Sequence, residues 1–171
     1  MNKLTKYLKI FSGGIFIVLL FLLILPFLLL LGIFNFIYGS WLKTLFYLKC
    51  MKNGKNIIFV YSESTNWQEY IEQKIFPEIE AKALLINWSE RSKWKKRKPL
   101  EVKIFRHFGG DTEFNPMAII FIRPWKIKIV RFFQAFKDYK HGKEFLLNQC
   151  MNELFDLAAN KALQPTEKSG N

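Results

Sequence analysis

The densest chemistry in the chain is the run SKWKKRK at positions 92–98, inside the longer WSERSKWKKRKP. It gathers Arg91, Lys93, Lys95, Lys96, Arg97 and Lys98 around two indoles, Trp88 and Trp94, against one acid, Glu90. Cations at this density attract phosphate, on nucleic acid or on anionic lipid. An interleaved Trp can stack on a base or sit at headgroup level. A plain solvated loop is the alternative for the same residues.

The second candidate is SESTN at 62–66, where Ser62, Ser64 and Asn66 offer hydroxyls and an amide. As local structure, Asn66 with Glu69 three residues on has the spacing of a capping box. His107 falls in RHFGGD with Asp111 and Glu113 nearby, too few ligands for a metal site. A cation near a helix C-terminus accounts for His107 equally well. Cys50 and Cys150 lie in no C-x-x-C and near no metal-like His set, so they read as an interfacial and a buried helical residue. No nucleophile elbow, zinc-protease or nucleotide fingerprint occurs, so no catalytic residue, metal or cofactor is expected.

Charge and hydropathy say where these residues sit. From Ile10 to Leu42 there is no charged residue, and Ile10 to Phe34 is almost purely Ile, Leu, Phe, Val and Gly. A bilayer core of about 30 Å needs about 20 such residues in a helix. A cleaved signal has a shorter apolar stretch of roughly 7–15 residues, so a retained anchor over residues 1–35 is expected. One crossing from about Leu8 to Leu31 is predicted, followed over 36–55 by an interfacial helix with Trp41, Leu42, Leu45, Phe46 and Leu48. A run broken at Pro26 and Gly32 that enters and leaves on one face is the alternative, costly because broken backbone needs shelter in lipid.

Residues 1–55 hold seven Lys and no acid, while residues 56–171 hold 19 Lys and Arg against 14 Asp and Glu. That excess of five is carried by Trp88 to Pro99 alone, so the remaining soluble part is neutral. Lysines flank the apolar run on both sides and leave orientation nearly tied. The weight of cations after the run favours a soluble domain on the cytoplasmic side of a bacterial inner membrane.

The elements that must position the two candidate segments follow from period and punctuation. Buried strands are predicted at NIIFVY (56–61), ALLIN (83–87) and MAIIFI (117–122), with a fourth at KIKIVRF (126–132) in a hairpin with the third. Helices are predicted from Trp67 through a kink at Pro77 to Ile79, and over 99–108, opened by Pro99 and stopped by Gly109 and Gly110. A third covers 143–159, with Phe145, Leu146, Cys150, Leu154, Phe155 and Leu157 as its core side. FKDYKHGKEF (136–145) reads as a connection, and the tail from residue 160 as disordered.

The resulting order, β-α-β-α-β-β-α over about 55–159, resembles the thioredoxin fold. NPMAIIFI sets Pro116 directly before the third strand, where that superfamily often has a cis-proline, and IFPEIE sets Pro77 where its first helix often kinks. The resemblance implies an α/β domain with a mixed sheet behind an N-terminal transmembrane helix. It also implies that Ser62, Ser64 and Asn66 lie near Asn115 and Pro116. The family's C-x-x-C is missing: the corresponding stretch is YSESTNWQEYIE. Thiol–disulfide exchange needs a thiolate and is not expected here, although a glutathione-type site using a Ser or Tyr stays open. The tail ANKALQPTEKSGN resembles the read-through ends of integron gene-cassette proteins.

The expected function is therefore a membrane-anchored, non-catalytic α/β interaction module, docking anionic membrane lipid or an unidentified protein through Trp88, Trp94 and the cations of 91–98. A membrane-bound enzyme of thioredoxin-like ancestry is the second reading. Nucleic-acid binding by the loop is the third, disfavoured by the anchor.

Overall fold

The structure is a computed structural model that describes residues 3–95, 98–110 and 115–159, with side chains from residue 20 onward apart from that of Lys95. The tail from residue 160, Lys96, Arg97, Asp111 and Glu113 lie outside the described residues. The chain divides into two compact units, Met1–Tyr38 and Gly39–Asn171.

Helix α1 runs Lys3–Lys49, 47 residues, and continues through Pro26 and Gly32. Pro26 removes the N–H that Leu22's carbonyl would accept and crowds that carbonyl, yet the helix continues through it, so the alternative of a run broken at Pro26 and Gly32 is not seen. In the first unit every described side chain from Leu20 to Tyr38 is exposed, Phe36 by 75%. Among the described residues this is the one helix long and apolar enough to cross a membrane.

In the second unit the strands are β1 (Ile57–Tyr61), β2 (Ala83–Asn87), β3 (Met117–Arg123) and β4 (Lys126–Arg131), ordered β2-β1-β3-β4. β1 and β2 are parallel, with Ile57 opposite Ala83 and Tyr61 opposite Asn87. β3 is antiparallel to both β1 and β4, with Val60 opposite Met117 and Met117 opposite Arg131. Continuous apolar runs are the mark of strands buried on both faces, and Ile57 to Val60 and Met117 to Phe121 are all fully buried.

Alternation sends Ile57, Phe59, Ala118 and Ile120 to one core. That core is closed by α2 (Gln68–Tyr70), a π-helical turn (Ile71–Ile75), α3 (Phe76–Ile79), α5 (Phe133–Tyr139) and α6 (Phe145–Ala159). The wide turn lies just before Pro77, which has no N–H to give a regular helix, so the expected kink takes this form. Ile58, Val60, Met117, Ile119 and Phe121 face the opposite core, closed by α4 (Leu100–Phe108), Trp94 and the last turns of α1. α4 matches its predicted span, and its stop includes Gly110 at φ 76°, a left-handed conformation that suits glycine.

Three expectations are corrected. No separate interfacial helix follows the anchor: α1 continues to Lys49, with Leu42 and Phe46 fully buried and Phe46 stacked on Phe121 at 4.1 Å. Of the apolar residues named for that segment, Trp41 and Leu48 keep the exposure expected of them. The buried face of α6 is Leu147, Met151, Leu154 and Ala158; of the predicted core side Leu154 is buried, Leu146, Cys150, Phe155 and Leu157 pack partly buried at its border, and Phe145 is 83% exposed. The helix starts two residues later than predicted, and that rotated face is the one laid against β3 and β4. Residues 136–139 are helical and not a connection, because Phe136 packs in the core between Tyr70 and Phe132.

Truncating Phe46 to Ala leaves a hole under the sheet and should destabilise the protein by about 3–5 kcal/mol. Phe145→Ala should stay within about 0.5 kcal/mol of the parent. Thermal melts of the full chain in detergent, followed by circular dichroism, check both.

Candidate functional site

The register brings both sequence candidates to one end of the sheet. Tyr61 ends β1 beside Asn87, which ends β2, and Val60 lies opposite Met117, which opens β3. SESTN, the basic turn and the cis Asn115–Pro116 peptide therefore all leave from the same edge.

A small network ties the first two together. Asn87 accepts from the Ser89 N–H at 2.9 Å and so caps a tight turn at Trp88–Glu90. Its amide donates to Glu63 Oε1 at 2.7 Å, and the Glu63 N–H donates to Ser89 Oγ at 3.1 Å. Sequence reasoning passed over Glu63, Asn87 and Ser89; the Asn ending a strand before W-S-E was the available signal.

SESTN builds a turn. The Ser64 carbonyl accepts from the N–H groups of Trp67 and Gln68, and its hydroxyl accepts from the Asn66 N–H at 3.4 Å. The capping box does not form. Trp67 occupies the cap position with no side-chain bond, Glu69 accepts from Gln73, and Asn66 Oδ1 accepts from Lys140. Lys140 ends α5, so Asn66 serves a tertiary contact that its spacing to Glu69 did not show. No base among the described residues hydrogen-bonds Ser62 or Ser64, which a serine nucleophile requires. Pro116 accepts the Phe132 N–H on its carbonyl, and Asn115 Oδ1 is buried without a hydrogen-bond partner among the described residues. Burial, then Glu153, pushes the Cys150 thiol up, away from thiolate. Among the described residues no three His, Cys, Asp or Glu side chains converge.

The basic turn is pinned by its indoles. Trp94 is 8% exposed and packs edge-on against Trp88 at 5.6 Å and Phe105 at 6.4 Å, with Trp88 itself 5.7 Å from Phe105. Trp94 is thus a core residue and not the stacking or lipid-facing ring predicted from sequence. Its apolar area is worth more against α4 than in water. Of the cations, Arg91 lies over the Trp88 ring at 5.6 Å and Lys93 pairs with Glu90 at 2.6 Å. That exposed pair contributes little stability. Lys98 is exposed, and the Lys95 side chain, Lys96 and Arg97 fall outside the described ones. Beside the turn lies an open cleft of about 450 Å³ lined by Trp88, Ser89, Arg91, Ser92 and Arg106. Arg106 was not singled out from sequence; only the packing of its neighbour Phe105 on Trp88 brings it here.

Next to Arg106, His107 lies against α1, where a Cβ added at Gly39 would stand 2.5 Å from Nε2. Burial, and then the Lys43 ammonium, hold its pKa below the ordinary histidine value. His107 does lie in the last turn of α4, but its surroundings disfavour the charged form. Because the folded pKa is the lower one, the unfolded chain takes up the proton first. Stability is full above the ordinary histidine range and falls as pH drops through it.

The thermal midpoint should accordingly decline between about pH 7.5 and 5, and His107→Gln should flatten that decline. Trp94→Ala should cost about 3 kcal/mol and speed amide exchange over 88–95, as mass spectrometry of the full chain would show. Comparison with protein-family models, with curated proteins and with solved structures finds no match for this chain.

Proposed function

We propose that the protein is a single-pass, membrane-anchored, non-catalytic α/β module that docks anionic lipid at the bilayer surface through its basic turn. The observation that carries this reading is α1: from Leu20 to Tyr38 its described side chains are uncharged and exposed. Burying apolar surface is worth roughly 25 cal/mol per Å², so lipid is the solvent in which such a helix is stable. The second unit then lies at the bilayer with cations concentrated on one turn. Each Lys or Arg close to an anionic surface adds about 1 kcal/mol. The proposal assigns the unit to the cytoplasmic side of a bacterial inner membrane, where anionic headgroups are available to that turn.

We also read residues 55–159 as a thioredoxin-like domain that has lost its redox function. The support is the strand order β2-β1-β3-β4, with one parallel pair, helices against both faces and Pro116 directly before β3. Both thiols lie outside SESTN, and among the described residues no base bonds the Ser62 or Ser64 hydroxyl, which favours an interaction module over an enzyme. Nucleic acid is a weaker partner, since the buried Trp94 has no ring face left for a base.

The full chain in nanodiscs tests the proposal by hydrogen exchange. Amides from Arg91 to Lys98 should exchange at least about threefold more slowly when anionic lipid replaces part of a zwitterionic bilayer. Replacing Lys95, Lys96, Arg97 and Lys98 with Gln should remove that difference. Equal exchange of the parent chain in both bilayers would overturn the reading.

A further inference from the structure

We infer that the cleft beside the basic turn is a binding site for a phosphate monoester, with Arg91 and Arg106 as its charged arms and Ser89 and Ser92 as added donors. The inference deepens the lipid-docking reading and rests on it for the setting, but it concerns different atoms from the lysine run.

Two guanidiniums line one cleft of about 450 Å³, and neither is in an ion pair among the described residues. The two acids of these turns are engaged elsewhere: Glu90 with Lys93 at 2.6 Å, and Glu63 with Asn87 at 2.7 Å. Two unneutralised cations match a dianion, and a guanidinium fork fits two oxygens of a phosphate at once. A carboxylate, with one charge and two oxygens, would leave one arm unmatched.

The neutral donors are arranged to help. Ser89 Oγ already accepts the Glu63 N–H at 3.1 Å, so its own hydrogen is available to an oxyanion in the cleft. Arg91 is held over the Trp88 ring at 5.6 Å, which limits the entropy lost when it binds. Arg106 comes from the last turn of α4, so the two arms reach the cleft from different elements. The volume exceeds a bare phosphate, and the Trp88 wall offers apolar contact for the carbon group that carries it. A lipid headgroup and a soluble phosphorylated metabolite share this chemistry.

The test uses the full chain in nanodiscs at about 0.15 M salt, where diffuse attraction is screened within about 8 Å. Glycerol 3-phosphate is titrated in zwitterionic nanodiscs by calorimetry. Separately, amide exchange around Ser89, Ser92 and Arg106 is compared between phosphatidic acid and phosphatidylserine nanodiscs at matched charge. Saturable binding of glycerol 3-phosphate that Arg106→Gln weakens about tenfold or more supports the site with a soluble ligand. Protection by phosphatidic acid beyond that by phosphatidylserine, lost in Arg106→Gln, supports it with a lipid ligand. Arg106→Lys should retain part of the binding, and an unchanged melting temperature shows that each variant is folded. No binding in either arm, or binding indifferent to both Arg106→Gln and Arg91→Gln, overturns the site. If lysine-dependent protection of 91–98 persists in that case, the broader lipid-docking reading survives it.

Discussion

A sheet buried on both faces must be covered on both faces, and in this protein the second cover is incomplete without α1. Ile58, Val60, Ile119 and Phe121 face a core that α4 and the indoles close only in part. Leu42 and Phe46, from the last turns of the 47-residue helix, complete it. The same helix that carries the long apolar run is thus also a core element of the α/β unit. Within this unit Gly39 allows the close approach of His107.

The same core fixes the basic turn. Trp88 and Trp94 pack on Phe105 of α4, and Asn87 and Glu63 bond the turn to the end of β1. Arg91 and Lys93 are therefore presented from a turn held by packing and hydrogen bonds, which lowers the entropy cost of binding. Arg106 joins Arg91 at the cleft because α4 covers the same face of the sheet as the turn. Charge concentrated on one turn, with the rest of residues 56–171 neutral, suits an anionic surface or a small anion better than a promiscuous polyelectrolyte.

Much of this was legible in the residues. β1, β2 and β3 are short apolar runs, β1 and β3 rich in β-branched side chains, and each forms within a residue or so of its predicted span. Pro99 and the Gly pair bounded α4 because both act through backbone geometry alone. What stayed hidden depends on which partner an apolar side chain meets. Leu42 and Phe46 read as interfacial because composition cannot separate a headgroup from a sheet as the apolar surface they face. Phe145 read as core by type, yet the α6 face is set by its docking on β3 and β4. Trp94 sits among five cations in SKWKKRK, and nothing local says that its ring turns inward onto Phe105. Arg106, at the cleft, is distant in sequence from the run that first drew attention.

The central claim is that the basic turn rests at an anionic bilayer surface. A spin label at Ser92→Cys in a full chain with Cys50 and Cys150 replaced by Ser measures this directly, with a label at Asn152→Cys on the exposed side of α6 as reference. In nanodiscs containing anionic lipid, power saturation should find the residue 92 label shielded from an aqueous relaxant and close to relaxant-bearing headgroups, while the residue 152 label stays in water. Equal aqueous accessibility at both positions would contradict the account.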